Sequence, residues 1–207
     1  MPENIPNKEI FVQAYEGQPP WDIGSAQPAF IDAADQIQGS ILDAGCGTGE
    51  NALYFAGRGH KVIGIDFLEF PIREAQRKAQ ERGVTATFLV IDALHLNSLP
   101  EVFDTVIDCG LFHVFSDADR ERYASGLAGI VKPGGRLYLM CFSDQEPPGD
   151  GPRRISRKDI QTTFASGWQI ESITESRFAV RPDLEGIEFS EGGPIAWFCI
   201  ITRTKSH

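Results

Sequence analysis

Ile41-Leu42-Asp43-Ala44-Gly45-Cys46-Gly47-Thr48-Gly49-Glu50-Asn51 is a short apolar run ending in an acid, then three glycines at alternate positions, then the start of a helix-forming segment that continues to Ala56. That succession predicts a buried strand, a tight turn and a helix start, an arrangement that turns bare backbone N–H groups toward a ligand. The glycines let the chain turn sharply and leave no Cβ between backbone and ligand. The chain then returns through His60-Lys61-Val62-Ile63-Gly64-Ile65-Asp66, a second predicted strand whose closing acid lies 23 positions after Asp43.

The spacing discriminates among glycine-loop ligands. A dinucleotide loop follows G-x-G-x-x-G, and here the third glycine, Gly49, comes one residue early. A phosphate loop of the Walker type needs Gly-Lys-Ser/Thr, which does not occur. Asp43 before the turn repels a pyrophosphate but suits an ammonium group. Asp66 suits a ribose diol, because one carboxylate accepts from both hydroxyls. A third acid, Asp92, closes the predicted strand Ala86–Ile91. Three carboxylates at the ends of successive strands converge on the crevice where open α/β sheets bind ligands, and a helix N-cap role would explain one of them rather than three.

The set Asp43–Gly49, Gly64-Ile65-Asp66, Val90–Leu94, Phe103–Asp108 and Leu127–Leu139 with its Lys132-Pro133-Gly134-Gly135-Arg136 resembles, in order, the motifs of the class I S-adenosylmethionine-dependent methyltransferases. The resemblance covers the chain from about residue 38 onward. It implies an α/β, Rossmann-like sheet of seven strands, mostly parallel, with helices on both faces and a C-terminal antiparallel hairpin. The expected organisation is an N-terminal helical lid segment over 1–38 and the methyltransferase domain over 39–207, together one structural domain. It further implies that S-adenosyl-L-methionine is bound with Asp43 near its amino group, Gly45 and Gly47 beneath its amino-acid end, Asp66 on the ribose and Asp92 on the adenine amino group. Ala93 would meet the ring through its N–H, Phe67 and Leu94 would pack on its faces, and Cys109 would line the site.

Before the first strand, residues 7–17 predict a short helix, Gln18–Gly24 an irregular turn braced by Pro19 and Pro20, and Pro28–Ile37 a second helix. The step Trp21-Asp22-Ile23-Gly24 resembles the start of thiopurine methyltransferase-like and thiol methyltransferase-like proteins, in which a tryptophan roofs the sulfonium. An indole face attracts a cation, so Trp21 is a candidate for both cofactor and substrate contact, with Asp22 beside it; the alternative is that Trp21 packs the two helices. Beyond the fourth strand, Cys109-Gly110-Leu111-Phe112-His113 lacks the Asn/Asp-Pro-Pro-aromatic element of amino-methylating relatives. His113 is the histidine placed to face the reacting centre, either as a base for a hydroxyl or thiol or as a neutral lining residue. Phe112 and Arg154 are further substrate candidates, Arg153 and Arg154 being suited to an anionic group or to solvent. Arg177, Arg181 and Glu188 lie in a segment able to reach the pocket.

Composition bounds the rest. The 207 residues, 42% of them hydrophobic, are enough for one core without staples. A net charge of −10 argues against a nucleic-acid partner. Cys46, Cys109, Cys141 and Cys199 are scattered without C-x-x-C spacing, as expected of a reducing cytoplasm, and no His/Cys/Asp cluster has metal-ligand spacing. No apolar run approaches the roughly 18 residues of a membrane span. The expectation is a cytoplasmic enzyme that methylates a small molecule, favouring a thiol or other soft nucleophile. The alternatives are an O- or N-methyltransferase of a small aromatic metabolite using His113 as base, and a non-catalytic cofactor-binding module. Oligomeric state and acceptor are not encoded in any motif.

Overall fold

The structure is a computed structural model and describes residues 8–99, 101–149, 151–182 and 189–205. Its centre is a seven-stranded sheet in the order β3-β2-β1-β4-β5-β7-β6. The strands are β1 (Ile41–Ala44), β2 (Val62–Asp66), β3 (Thr87–Val90), β4 (Phe103–Cys109), β5 (Val131–Phe142), β6 (Trp168–Arg177) and β7 (Ile195–Arg203). The first five pair in parallel, and β7 runs antiparallel between β5 and β6. Because β1 has β2 on one side and β4 on the other, the connections diverge there, which opens a crevice at the carboxyl ends of β1 and β4.

Among the described residues six α-helices flank the sheet: α1 (Lys8–Glu16), α2 (Pro28–Asp32), α3 (Glu50–Gly57), α4 (Glu69–Arg82), α5 (Asp117–Ile130) and α6 (Arg157–Thr163). Strand alternation divides the apolar residues between two cores. Ile41, Val62, Ile107 and Tyr138 face α2, α3 and α4, while Leu42, Ile63, Val106 and Leu137 face α5 and α6. Two segments depart from the expected pattern. The predicted helix Pro28–Ile37 is broken after Asp32 and resumes as a single 3₁₀ turn, Ala34–Gln36. And β5 starts at Val131, directly after α5, rather than at Arg136. Val131 pairs with Phe103 before Lys132–Gly135 bulge outward, and Arg136 resumes the ladder at Thr105.

The N-terminal segment is stapled to the far end of the chain. Gln27, buried, donates to the Ala179 carbonyl at 2.8 Å and accepts from the Ala179 amide at 2.9 Å, while its own amide donates to Asn51 Oδ1. Arg181 donates through its amide to the Pro20 carbonyl and through its guanidinium to the Gln18 carbonyl. Glu146, also buried, accepts from the Ser190 and Ile195 amides and so joins the loop after β5 to the connection between β6 and β7. Gln27→Ala is expected to loosen this junction: in hydrogen exchange the Ala179 amide should lose about tenfold or more of its protection, whereas amides within β1 should not change.

Candidate functional site

The glycine turn is held open by its own backbone. Gly45, Gly47 and Gly49 all have positive φ (70°, 53° and 85°). A Cβ on Gly45 would touch Leu111 at 3.0 Å, and one on Gly47 would stand 2.8 Å from the Tyr15 hydroxyl. The turn therefore requires glycine for both conformation and space.

The three carboxylates stand at the carboxyl ends of β1, β2 and β3, and each anchors backbone. Asp43 is 1% exposed; its Oδ2 accepts from the Ala52 amide in the first turn of α3, and its Oδ1 is buried with no partner. Burial pushes its carboxyl up to about 8; the Ala52 bond opposes this, and the charges of Asp108 and Asp66 add to it. Asp66 accepts from the Leu68 and Gly47 amides, so it ties the end of β2 both to the start of α4 and to the glycine turn; burial raises its carboxyl too. Asp92 is half exposed and caps the 3₁₀ turn Ala93–Ser98 through the Leu94 amide. Ala93 is buried and Leu94 partly buried behind it. Cys109 lies at the end of β4, where burial and the nearby Asp43 raise its thiol.

A roof covers this floor. Tyr15 on α1 reaches over Gly47, Phe11 meets the Phe67 ring edge-on at 5.8 Å, and Lys8 lies over the same ring. Trp21, 43% exposed, packs edge-on against Phe11 and Tyr15 and directs its indole N–H at the Tyr15 hydroxyl, 3.5 Å away. Burial raises the Tyr15 hydroxyl above its ordinary value, with the Asp66 charge acting in the same direction. Asp22 does not enter the crevice. It accepts from the Thr48 hydroxyl, and Lys78 donates both to that hydroxyl and to Glu50, which also binds Arg82. Asp22 thus clamps the N-terminal segment to the base of the glycine turn.

At the ends of β4 and β5 a 3₁₀ turn, Phe112–Val114, separates two neighbours that the sequence had grouped together. Phe112 is fully buried on the α6 side, stacked on Phe164 beneath Arg120, and lines no crevice. His113 points the other way. Its Nδ1 accepts from the Phe142 amide at 3.0 Å, which leaves the proton on Nε2, and its ring lies edge-on to Phe142 and Phe178. Burial, and then the Arg154 charge, lower it to about 3. Arg154 crosses the Phe142 ring and donates to the Pro147 and Pro152 carbonyls; Arg153 pairs with Asp117. Arg177 donates to the Gly193 carbonyl, away from the crevice, and Glu188 lies outside the described residues. Tyr15, Gln27, Phe142 and Phe178 were not singled out in the sequence. Nor was Asp108, whose Oδ1 accepts from the Leu111 and Phe112 amides and whose carboxyl burial raises to about 7.

Comparison with known proteins decides the family. Residues 41–135 match the Methyltransferase domain family. The 2-heptyl-1-hydroxyquinolin-4(1H)-one methyltransferase of Mycobacteroides abscessus is 32% identical over 206 residues, covering 93% of this chain and 88% of that protein. The chain belongs to the S-adenosylmethionine-dependent methyltransferases. A probable thiol methyltransferase 2 from Arabidopsis thaliana is 26% identical over 80% of this methyltransferase and 76% of its own length. A structure solved in work on the conversion of a disulfide bond into a thioacetal group during echinomycin biosynthesis superposes with a TM-score of 0.83 at 37% identity, over 96% of this chain and 93% of that one. The seven-stranded sheet with its antiparallel end is that of the family. Its cofactor is S-adenosylmethionine, and the donor set fits that molecule. The orphaned Asp43 oxygen calls for a cation, and the glycine turn offers room only where no Cβ stands. Among the described residues no helix is long and apolar enough to cross a membrane, and no group of three His, Cys, Asp or Glu could hold a metal ion.

Proposed function

We propose that this methyltransferase acts on a small-molecule sulfur or oxygen nucleophile, and that its residues do little chemistry beyond alignment. The observation that carries this is the ring cluster after β4: His113, Phe142 and Phe178 pack on one another, and the one acceptor nitrogen of His113 is taken by the Phe142 amide, so the imidazole is not free to serve as a base. The cofactor supplies an electrophilic methyl group on a sulfonium, already a good leaving group. What remains for the protein is to bind, orient and exclude water.

In this reading Asp43 holds the ammonium, Gly45 and Gly47 admit the amino-acid end, Asp66 takes the ribose hydroxyls and Asp92 the adenine edge. Phe67, Ala93, Leu94 and Cys109 complete that wall, and Tyr15 and Trp21 close it from above. The Mycobacteroides relative acts on an aromatic N-hydroxy compound and the Arabidopsis relative is named for thiols; both support an acidic, polarisable acceptor over an amine. The test is release of S-adenosylhomocysteine from a panel of aryl thiols, N-hydroxyquinolones, phenols and amines. Turnover confined to amines would overturn the proposal.

The ribose assignment has its own check. Asp66→Ala is expected to weaken S-adenosylmethionine binding about tenfold or more in calorimetry, because a charge-assisted bond is lost. Gly47 and Leu68 donate to different oxygens of Asp66, so Asp66→Asn keeps an acceptor for one of the two amides and removes the charge, with less disturbance of the turn than alanine. If neither variant changes the affinity, the ribose lies elsewhere.

A further inference from the structure

His113 is 6% exposed and has one acceptor nitrogen, which the Phe142 amide occupies. Its Nε2–H has no partner among the described residues and lies on the side of Gly110, where a Cβ would stand 3.6 Å from it. Gly110 has φ of +87° and follows β4 directly, so the strand end passes the imidazole with no side chain between them. Around this N–H stand aromatic faces. Phe142 and Phe178 are stacked at 5.3 Å and 27°, Phe189 closes on Phe142 edge-on, and Arg154 lies over the Phe142 ring at 5.2 Å. Arg154 is the charged group that bears on the imidazole, and behind it Glu146 is held by the Ser190 and Ile195 amides.

We infer that His113 is a hydrogen-bond donor to the acceptor atom, and that the enzyme therefore selects aromatic acceptors that arrive already ionised: aryl thiolates, or the oxyanions of acidic N-hydroxy and phenolic rings. The inference rests on the methyl-transfer reading and narrows its substrate class. Three features support it. With Nδ1 taken by the Phe142 amide, the Nε2–H is not sealed in among the buried unpartnered atoms and is free to donate to an incoming acceptor, of which an anion is the strongest. Phe142 and Phe178 stack on each other, so an aromatic acceptor would meet this cluster at its ring edges. Arg154, whose side chain spans Phe142, adds positive potential beside the imidazole.

The step balances without a protein base. The acceptor gives its proton to solvent before binding. Its lone pair then forms the bond to the methyl carbon, and the carbon–sulfur bond breaks with its electrons kept by sulfur. His113 keeps its proton throughout, so it is a positioning and selecting residue that touches the reacting atom without transferring a proton.

The test reads the ionisation of a bound chromophore rather than turnover. With S-adenosylhomocysteine present to hold the cofactor site filled, 4-nitrophenol and 4-nitrothiophenol are titrated from acid to alkali and followed by visible absorbance. The wild type is expected to bind both as anions and to raise their ionisation constants about tenfold or more. His113→Gln, which keeps an N–H, should retain most of that shift, while His113→Phe and Arg154→Met should each lose it. A parallel series of substituted thiophenols turned over with S-adenosylmethionine should show pH inflections that follow each acceptor's own ionisation.

An inflection fixed at one pH for every acceptor marks a protein base and overturns the inference. So does binding of the neutral forms, or failure of both chromophores to bind the cofactor-loaded protein. Failure of S-adenosylhomocysteine itself to bind in calorimetry would instead sink the methyl-transfer reading beneath it.

Discussion

Asp43→Asn should give a protein that is more stable without cofactor and far poorer at binding it. Asparagine keeps an oxygen for the Ala52 amide and removes a charge that nothing neutralises. Because burial raises the Asp43 carboxyl to about 8, the folded chain binds this proton more tightly than the unfolded one. The sign follows from that difference. Stability is greatest below the ordinary carboxylate range and declines as pH climbs from there toward the folded value, since across that window the folded state holds the extra proton. At pH 8.5 the variant is therefore expected to gain on the order of 1–3 kcal/mol over the wild type, and at pH 4 almost nothing. Thermal melts at the two pH values check the first half of the claim. Calorimetry checks the second: loss of a buried charge-assisted contact should weaken S-adenosylmethionine binding by about thirtyfold or more. Equal melting points at both pH values would show that the wild-type carboxylate already has a compensating partner.

Gly49→Ala is expected to be the most damaging small change in the turn. Gly49 sits at the N-cap of α3 with φ of +85°, and an added Cβ would lie 2.8 Å from Ala75 Cβ on α4 and 3.0 Å from the Phe88 ring on β3. Left-handed strain and overlap combine here, at about 2–4 kcal/mol, read as a drop in urea midpoint. Gly59 provides the control, since it has φ of +90° and nothing within 4 Å of a Cβ. Gly59→Ala should cost about 1–2 kcal/mol, the strain alone. Equal losses at the two positions would mean that α4 and β3 give way without resistance.

The features legible in the sequence were those set by neighbours along the chain. The run into Asp43, the alternate glycines and the acids closing β2 and β3 are local patterns, and local patterns dictate strand, turn and helix start. The idea that capping would explain only one of the three acids understated their structural duty. Ala52, Gly47, Leu68 and Leu94 all donate to them, so the same carboxylates build the turns beside which they wait. What the sequence does not reveal is set by distance along the chain or by a short irregular turn. Gln27 meets Ala179 across 152 positions, which no periodicity records. Tyr15 lies on a helix with no buried residue and draws its meaning from Gly47. Phe112 and His113 differ by one position in a three-residue 3₁₀ turn, and their opposite directions depend on Phe142 and Phe164, not on their own segment.

The Gln27–Ala179 and Arg181–Pro20 bonds have a kinetic corollary. Since the segment lying over the glycine turn is fastened to the chain that carries Phe178, the two ligands of the proposed site are expected to share a single door. A slowly leaving aryl inhibitor lodged beside His113 should therefore imprison the spent nucleoside as well, and in a chase experiment both should depart at one common rate. Nucleoside escaping on its own schedule would mean that the door has two leaves.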